Sequence, residues 1–338
     1  MSDRRAPGTP LDAAGGLAAA LAAVPLFAGM PDEDLDDFAT AFTPVEAGAG
    51  EVLWWQASPV DGLHVLLTGE ARILRRLPGE REVEIARLGA GAVMGEIPLL
   101  GGGTRSATVR AASACTLAFL DRRDFHARVQ LGRPGAMLLK RRIVESACAR
   151  VRADHAMLAA ALEGGAGPAT SAPVPDPRAA ATSAVPAPSL AYVSHLPFFR
   201  HLEADGVASL LDRGETLQFP PGTVLLEEGE TADRCFITLN GAVEDVLCRG
   251  PRGIRVRFAG PGRAVCYLGM LDGEPASATS VARERTVALA LGAEDVRARL
   301  DGDDDVSRAF TAALEHDLMD ALRSTASPKS HLASAVPA

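Results

Sequence analysis

Two side chains of opposite charge, Glu96 and Arg105, flank a glycine-rich stretch, MGEIPLLGGGTRSATV, over residues 94–109. Arginine is a forked, permanently charged donor set that fits the oxygens of a phosphate. Glycine and alanine let backbone N–H groups approach the same oxygens. An ionised glutamate only accepts hydrogen bonds, so Glu96 suits a sugar hydroxyl. The apolar residues between them would hold a ring. The stretch is therefore suited to a small ligand with one anionic group and one hydroxyl. The plainer reading is an ion pair that supports a turn, and a buried pair is costly to hold without further partners.

The elements that must position this stretch occur twice. Residues 24–71 align with 196–243 at a constant offset of 172, so that VPLF falls on LPFF, Asp61 on Asp233 and Gly69 on Gly241. After one deleted residue the offset is 171, placing Gly91 on Gly262 and Thr108 on Thr279. Two copies of one fold follow. Each opens with a short helix, continues in short alternating strands punctuated by glycine, such as LHVLLTGEARIL (63–74) and EVEIARLG (82–89), and ends in helix. The expected class is α+β, mainly β: two jelly-roll-like β-barrels, each flanked by helices, joined by a Pro/Ala-rich linker. The expected domains are 17–163 and 190–324. The linker is 164–189, with six prolines between Pro168 and Pro188, and the ends 1–16 and 325–338 read as disordered.

Composition bounds the function. The chain has 338 residues, enough for two cores, and 47% of them are hydrophobic. Its net charge of −9 gives no electrostatic reason to seek nucleic acid or an anionic membrane. The five cysteines, Cys115, Cys148, Cys235, Cys248 and Cys266, are scattered and form no C-x-x-C pair. That argues against a zinc site or a disulfide framework and fits a reducing compartment, so a cytoplasmic location is expected. Leu17–Ala28 follows Arg4 and Arg5 like the apolar part of a leader. The recurrence of its VPLF inside the chain favours a helix leading into the first domain. No apolar run approaches the ~20 residues needed to span a bilayer. His64 lies on an alternating strand with no second histidine in H-x-H spacing and reads as packed rather than metal-ligating. Trp54 and Trp55 read as one core and one edge residue.

The stretch resembles the phosphate-binding cassette of cyclic nucleotide-binding domains, G-E-[LI]-x-L-[LI]-x4-R-[AST]-A-[TS]-[VI]. It is matched in register by Gly95, Glu96, Ile97, Pro98, Leu99, Leu100, then Arg105, Ser106, Ala107, Thr108 and Val109. The resemblance extends over both repeats and includes the sensor domains of catabolite-activator-like regulators and of kinase regulatory subunits. It implies that Glu96 accepts the ribose 2′-hydroxyl. Arg105 would bind the cyclic phosphate, helped by Ser106 and the N–H groups of Ala107 and Ile97. Ile73 and Ile85, inward on their strands, would pack on the purine. The helix after the barrel would close over the base, with Arg150 or Arg152 reaching it. The implied ligand is cAMP or cGMP, Ser106 leaving the choice open, with no other cofactor and no catalytic constellation.

In the second copy Cys266 and Tyr267 replace the Gly-Glu pair and Ala276 replaces the arginine, so this copy is expected not to bind a cyclic nucleotide in the family's way. Arg263, Arg283 and Arg285 lie nearby and could restore a charge. About fifteen residues follow Arg323, too few for a three-helix DNA-binding unit. The expected protein is therefore a cyclic-nucleotide receptor that signals through a protein effector without direct DNA contact. The alternatives are a regulator acting on DNA through a partner and a non-binding scaffold of the same fold. Val144, Cys148, Val151, His155, Leu158 and Leu162 recur at spacings of 4, 3, 4, 3 and 4, the seam of a short coiled coil. This stripe suggests a homodimer through residues 135–163. The same spacing equally suits a helix packed on its own domain or on the second one.

Overall fold

The computed structural model describes residues 14–76, 82–164, 182–250 and 252–325. It divides into two compact units, Met1–Val144 and Glu145–Ala338. Among the described residues no helix is long and apolar enough to cross a membrane.

In the first unit helix α1 (Ala14–Ala22) buries Leu17, Ala18 and Leu21, so Ala14–Gly16 are helical rather than part of a disordered end. Residues 1–13 lie outside the described residues. A 3-10 turn over Pro25–Phe27 leads to α2 (Asp32–Ala39). Three acids in the first turn of α2, Asp32, Glu33 and Asp34, complement the positive end of the helix dipole. Phe27, Phe38 and Phe42 meet at centroid distances of 5.9–6.3 Å, the heart of the helical part of the core.

Eight strands follow: β1 (Phe42–Ala47), β2 (Val52–Trp54), β3 (Gly62–Thr68), β4 (Ala71–Arg76), β5 (Glu82–Leu88), β6 (Val93–Met94), β7 (Thr108–Ala111) and β8 (Cys115–Asp121). They form two antiparallel sheets, ordered β1-β8-β3-β6 and β2-β7-β4-β5. The barrel-like arrangement is thus a pair of four-stranded sheets, not one ladder closed on itself. A one-turn helix α3 (Pro98–Gly101) lies between β6 and β7. Helix α4 (Arg122–Gln130) is capped by Asp121, whose carboxylate accepts from the N–H groups of Arg123 and Asp124. The 30-residue helix α5 (Pro134–Glu163) follows, with Ala136, Leu139 and Ile143 in the first unit's core.

The first unit is smaller than the expected 17–163, because residues 145–163 of α5 pack in the second. There Leu158, Ala159 and Leu162 cluster with Leu247, Ile254, Val256 and Ala278. The stripe that reads as a dimer seam is therefore buried inside the chain. Of the arrangements its spacing allows, packing on the second copy is the one found.

The expected linker partly lies outside the described residues, but β9 (Ser183–Ala184) pairs with β10 (Glu215–Phe219). Helices α6 (Leu190–Ser194) and α7 (Ala204–Arg213) precede β10. The remaining strands are β11 (Val224–Leu226), β12 (Arg234–Asn240), β13 (Val243–Arg249), β14 (Arg252–Ala259), β15 (Ala264–Val265), β16 (Thr279–Ala282) and β17 (Thr286–Gly292). They build sheets β15-β12-β17-β10-β9 and β11-β16-β13-β14, which repeat the first unit's order apart from the added edge strand. Helix α8 (Leu268–Asp272) takes the place of α3, and α9 (Ala293–Asp301) and α10 (Asp305–Ser324) close the unit. The expected tail does not begin at Thr325. This residue is fully buried, and its hydroxyl donates to Asp154 Oδ2 at 3.0 Å.

Candidate functional site

The glycine-rich stretch of the first unit folds as an elbow. β6 ends at Met94, and Gly95 turns the chain with φ +82°, a conformation that disfavours any side chain. The N–H groups of Leu99 and Leu100 then donate to the carbonyls of Glu96 and Ile97 at 3.1 Å each. Leu99, fully buried, nails this turn to the core, and Gly102, φ +66°, ends it. Arg105 is held by its own backbone: its N–H donates to Ser58 O and its carbonyl accepts from Ala57 N–H, both at 2.8 Å.

The Arg105 side chain points inward and is only 3% exposed. Nη2 donates to Asp61 Oδ1 at 2.5 Å and to Gly62 O at 3.0 Å. Cζ lies 4.3 Å from the centroid of Trp54. Nε and Nη1 are buried with no hydrogen-bond partner. Burial pulls the guanidinium's pKa down and the Asp61 carboxylate opposes that. Asp61 is itself 65% exposed, so one side of the pair is wet while the other is dry. Two desolvated, unused donors on a permanent cation are what an anion with two oxygens would satisfy.

Glu96 and Ile97 lie half-buried next to Gly95, Ser106 is exposed and Ala107 is buried. A Cβ at Gly95 would stand 2.2 Å from Arg105 Nη1. Gly95→Ala is therefore expected to disturb the arginine as well as strain the turn, at about 1–3 kcal/mol for the backbone alone. Gly91, at φ +85° with open space around its Cβ position, supplies the control. In thermal unfolding Gly95→Ala should cost more than Gly91→Ala because its Cβ would also stand 3.0 Å from the fixed carbonyl oxygen of Gly62, whereas the arginine tip can yield, and equal losses would remove the steric argument.

Ile73 packs half-buried against the sheet core that includes Leu66, Ala71 and Val109. Ile85 does not point inward: it is 49% exposed. The β4/β5 ladder shifts register at Ile73/Leu74, pairing Ile73 with Ala86 and Leu74 with Glu84, which leaves Ile85 as the extra residue of a bulge. Arg152 is also placed differently from the expectation. It belongs to the second unit, where its Nε and Nη2 grip both carboxylate oxygens of Asp272 at 2.6 and 2.8 Å. Arg150 lies 3.6 Å from Asp154 in the same unit.

His64 packs as expected, with Trp54 at 4.8 Å and Phe119 at 4.6 Å between centroids. Trp54 is half-buried and Trp55 is 52% exposed. Burial, then the nearby Arg105 cation, push the His64 pKa down to about 4, against the pull of Asp61. The unfolded chain takes up this proton near pH 6.5 and the folded chain only near 4. Stability is therefore undiminished above about 6.5 and lost as pH falls, by about 3 kcal/mol at pH 4. His126 and His155, also lowered by burial, add in the same direction. Denaturant unfolding of the parent and of His64→Phe at pH 7 and pH 4 checks this. The variant should lose less stability on acidification, and identical losses would refute it.

In the second unit the same backbone elbow survives without its charges. Ala276 N–H donates to Glu230 O and its carbonyl accepts from Gly229 N–H, both at 2.8 Å, repeating the pairing of Arg105. Cys266 stands where Gly95 does, in a left-handed conformation at φ +61°, and Tyr267 in the place of Glu96 is buried. The charge here comes from a residue that sequence reasoning missed. Arg257 on β14, 6% exposed, donates to Ala264 O at 2.8 Å and lies 3.4 Å from Asp317 and 3.8 Å from Asp245. Arg263 pairs with Asp317 and Asp320, and Arg283 lies 3.8 Å from Glu244. A cavity of about 50 Å³ remains among Tyr267, Ala276, Ser280 and His155, room for a few waters.

The sequence matches the family of cyclic nucleotide-binding domains over residues 44–130 and 216–303, and the chain belongs to that family. It is 31% identical over 126 residues to the cyclic AMP receptor protein of Thermus thermophilus, covering 36% of this chain and 58% of that one. It is 29% identical over 123 residues to a protein of Rhodopseudomonas palustris named as a potassium channel protein, covering 36% and 30%. The chain thus matches less than two thirds of either relative's length. Among solved structures, the regulatory domain of Toxoplasma gondii PKA with cAMP aligns over 87% of this chain and 94% of that one, at 20% identity and TM-score 0.33. The N-terminal domain of a transcriptional regulator from Streptomyces coelicolor covers 37% and 89%, at 28% identity and TM-score 0.35.

Proposed function

We propose that this chain is a non-catalytic receptor that binds one cyclic purine nucleotide, cAMP ahead of cGMP, in its first copy and passes the signal to a protein effector in the cytoplasm. The observation that carries this reading is the buried Arg105, with Nε and Nη1 unpartnered beside a glycine-lined elbow. The likeness to a protein named as a cyclic AMP receptor supports the same ligand. Glu96 takes the ribose hydroxyl, and Arg105, Ser106 and the backbone of Ile97 and Ala107 take the phosphate. Leu99 holds the elbow and Ile73 borders the base. The second copy offers no arginine at the cassette position and keeps its own charges neutralised, so it leaves the cyclic nucleotide unbound. A homodimer would have to use a surface other than the α5 stripe. Calorimetric titration of the full chain with cAMP and with cGMP tests the reading. Saturation at one nucleotide per chain is expected. No heat and no thermal shift with either would end it, and two equivalent sites would end the assignment of the second copy.

A further inference from the structure

We infer that Trp54 is a positioning residue of the anion site: its indole face holds the Arg105 guanidinium in the orientation that presents Nε and Nη1. The inference rests on the proposed function and adds a residue that the cassette pattern does not contain.

Three observations carry it. First, the guanidinium carbon lies 4.3 Å from the indole centroid, within the range of a cation–π contact, and the arginine is almost completely desolvated. Second, the indole is itself braced, by His64 at 4.8 Å and, beyond it, Phe119 at 4.6 Å. β2 delivers Trp54 through a bulge, pairing Val52 with Arg110 and Trp54 with Val109. Third, the chain contains its own control. The second copy keeps the same bulge, pairing Val224 with Val281 and Leu226 with Ser280. There Leu226 stands at the position of Trp54, and Ala276 at that of Arg105. The aromatic face is present where the arginine is and absent where it is not.

Asp61 and Gly62 O hold only Nη2. A guanidinium fixed at one nitrogen can still rotate, and a flat ring on its face stops that rotation while consuming no N–H donor. The ligand then meets a preorganised fork, which saves ordering cost on binding. Exposed Trp55, the next residue, has no such part to play.

The test uses calorimetry with cAMP on the full chain, with folding followed by circular dichroism. Trp54→Leu is expected to weaken binding about three- to thirty-fold, and Trp54→Phe, which keeps an aromatic face, to recover most of it. Equal affinity of Trp54→Leu and the parent, or equal weakening by Leu and Phe, would overturn the inference while leaving the proposed function intact. A parent that binds neither cAMP nor cGMP would instead overturn the proposed function, and this inference with it. Should Trp54→Leu fail to fold, Trp55→Phe decides, because it leaves Trp54 as the sole indole of a chain with two tryptophans. Its emission is expected to change saturably with cAMP, with the midpoint of the calorimetric titration. An emission unmoved at saturating cAMP would overturn the inference.

Discussion

Arg105→Ala is expected to lower the affinity for cAMP by about thirty- to several-thousand-fold, the effect of removing a desolvated, hydrogen-bonded charge partner worth roughly 2–5 kcal/mol. The same change should leave the melting temperature unchanged or raise it. The arginine's Nε and Nη1 are buried without partners, so the side chain burdens the empty fold. Its carboxylate partner, Asp61, is 65% exposed and will simply be solvated when the arginine is gone. Loss of binding together with unchanged or improved stability is the mark of a residue kept for a ligand. An ion pair kept for the turn would show the reverse: Arg105→Ala would melt earlier and bind as before. Calorimetry and thermal unfolding on one preparation separate the two. Arg105→Lys should fall between, since a point charge cannot make the fork or stack flat on Trp54.

The cassette was legible because its chemistry is local. A glycine that must take φ +82°, a leucine that must anchor a one-turn helix and an arginine nine residues after the acid are dictated within sixteen consecutive positions. The repeat was legible for a similar reason, since a constant offset needs no structure to detect. What escaped depends on partners distant in sequence. Ile85 alternates correctly for an inward residue, but one bulge residue reverses the faces of a strand, and nothing in EVEIARLG announces it. The α5 stripe declares a buried face without saying what buries it. A 3–4 spacing is the same against a second copy, a lid or the cluster of Leu247, Ile254 and Val256 that it meets. Arg257 sits in a strand, RGIRVRFA, whose alternation assigns it no special role. Its acids, Asp245 and Asp317, lie on β13 and α10.

The second copy keeps the backbone of the elbow but carries Cys266, Tyr267 and Ala276 in place of the glycine, acid and arginine, and that has a consequence for building an arginine site there. Ala276→Arg alone is expected to destabilise the second unit by about 1–3 kcal/mol, the cost of overpacking the elbow, even though Asp233 stands in the position of Asp61. The reason is geometric. In the first copy a Cβ at Gly95 would lie 2.2 Å from the arginine's Nη1, and the matching elbow of the second copy already carries a side chain there, Cys266. A restored arginine would meet that side chain and a second buried cation, Arg257, whose charge Asp245 and Asp317 already balance. Glycine at 266 removes the first obstacle, so Cys266→Gly with Ala276→Arg should be more stable than the sum of the two single effects, by more than the ~0.5 kcal/mol that independent sites show. It also relieves a left-handed non-glycine residue. Thermal unfolding of the two single variants and the double closes the cycle. Strict additivity would mean that Cys266 does not occupy the arginine's place. A double variant that recovers stability yet binds no second cAMP would leave Tyr267, in the position of Glu96, and the Arg257 charge network as the remaining barriers.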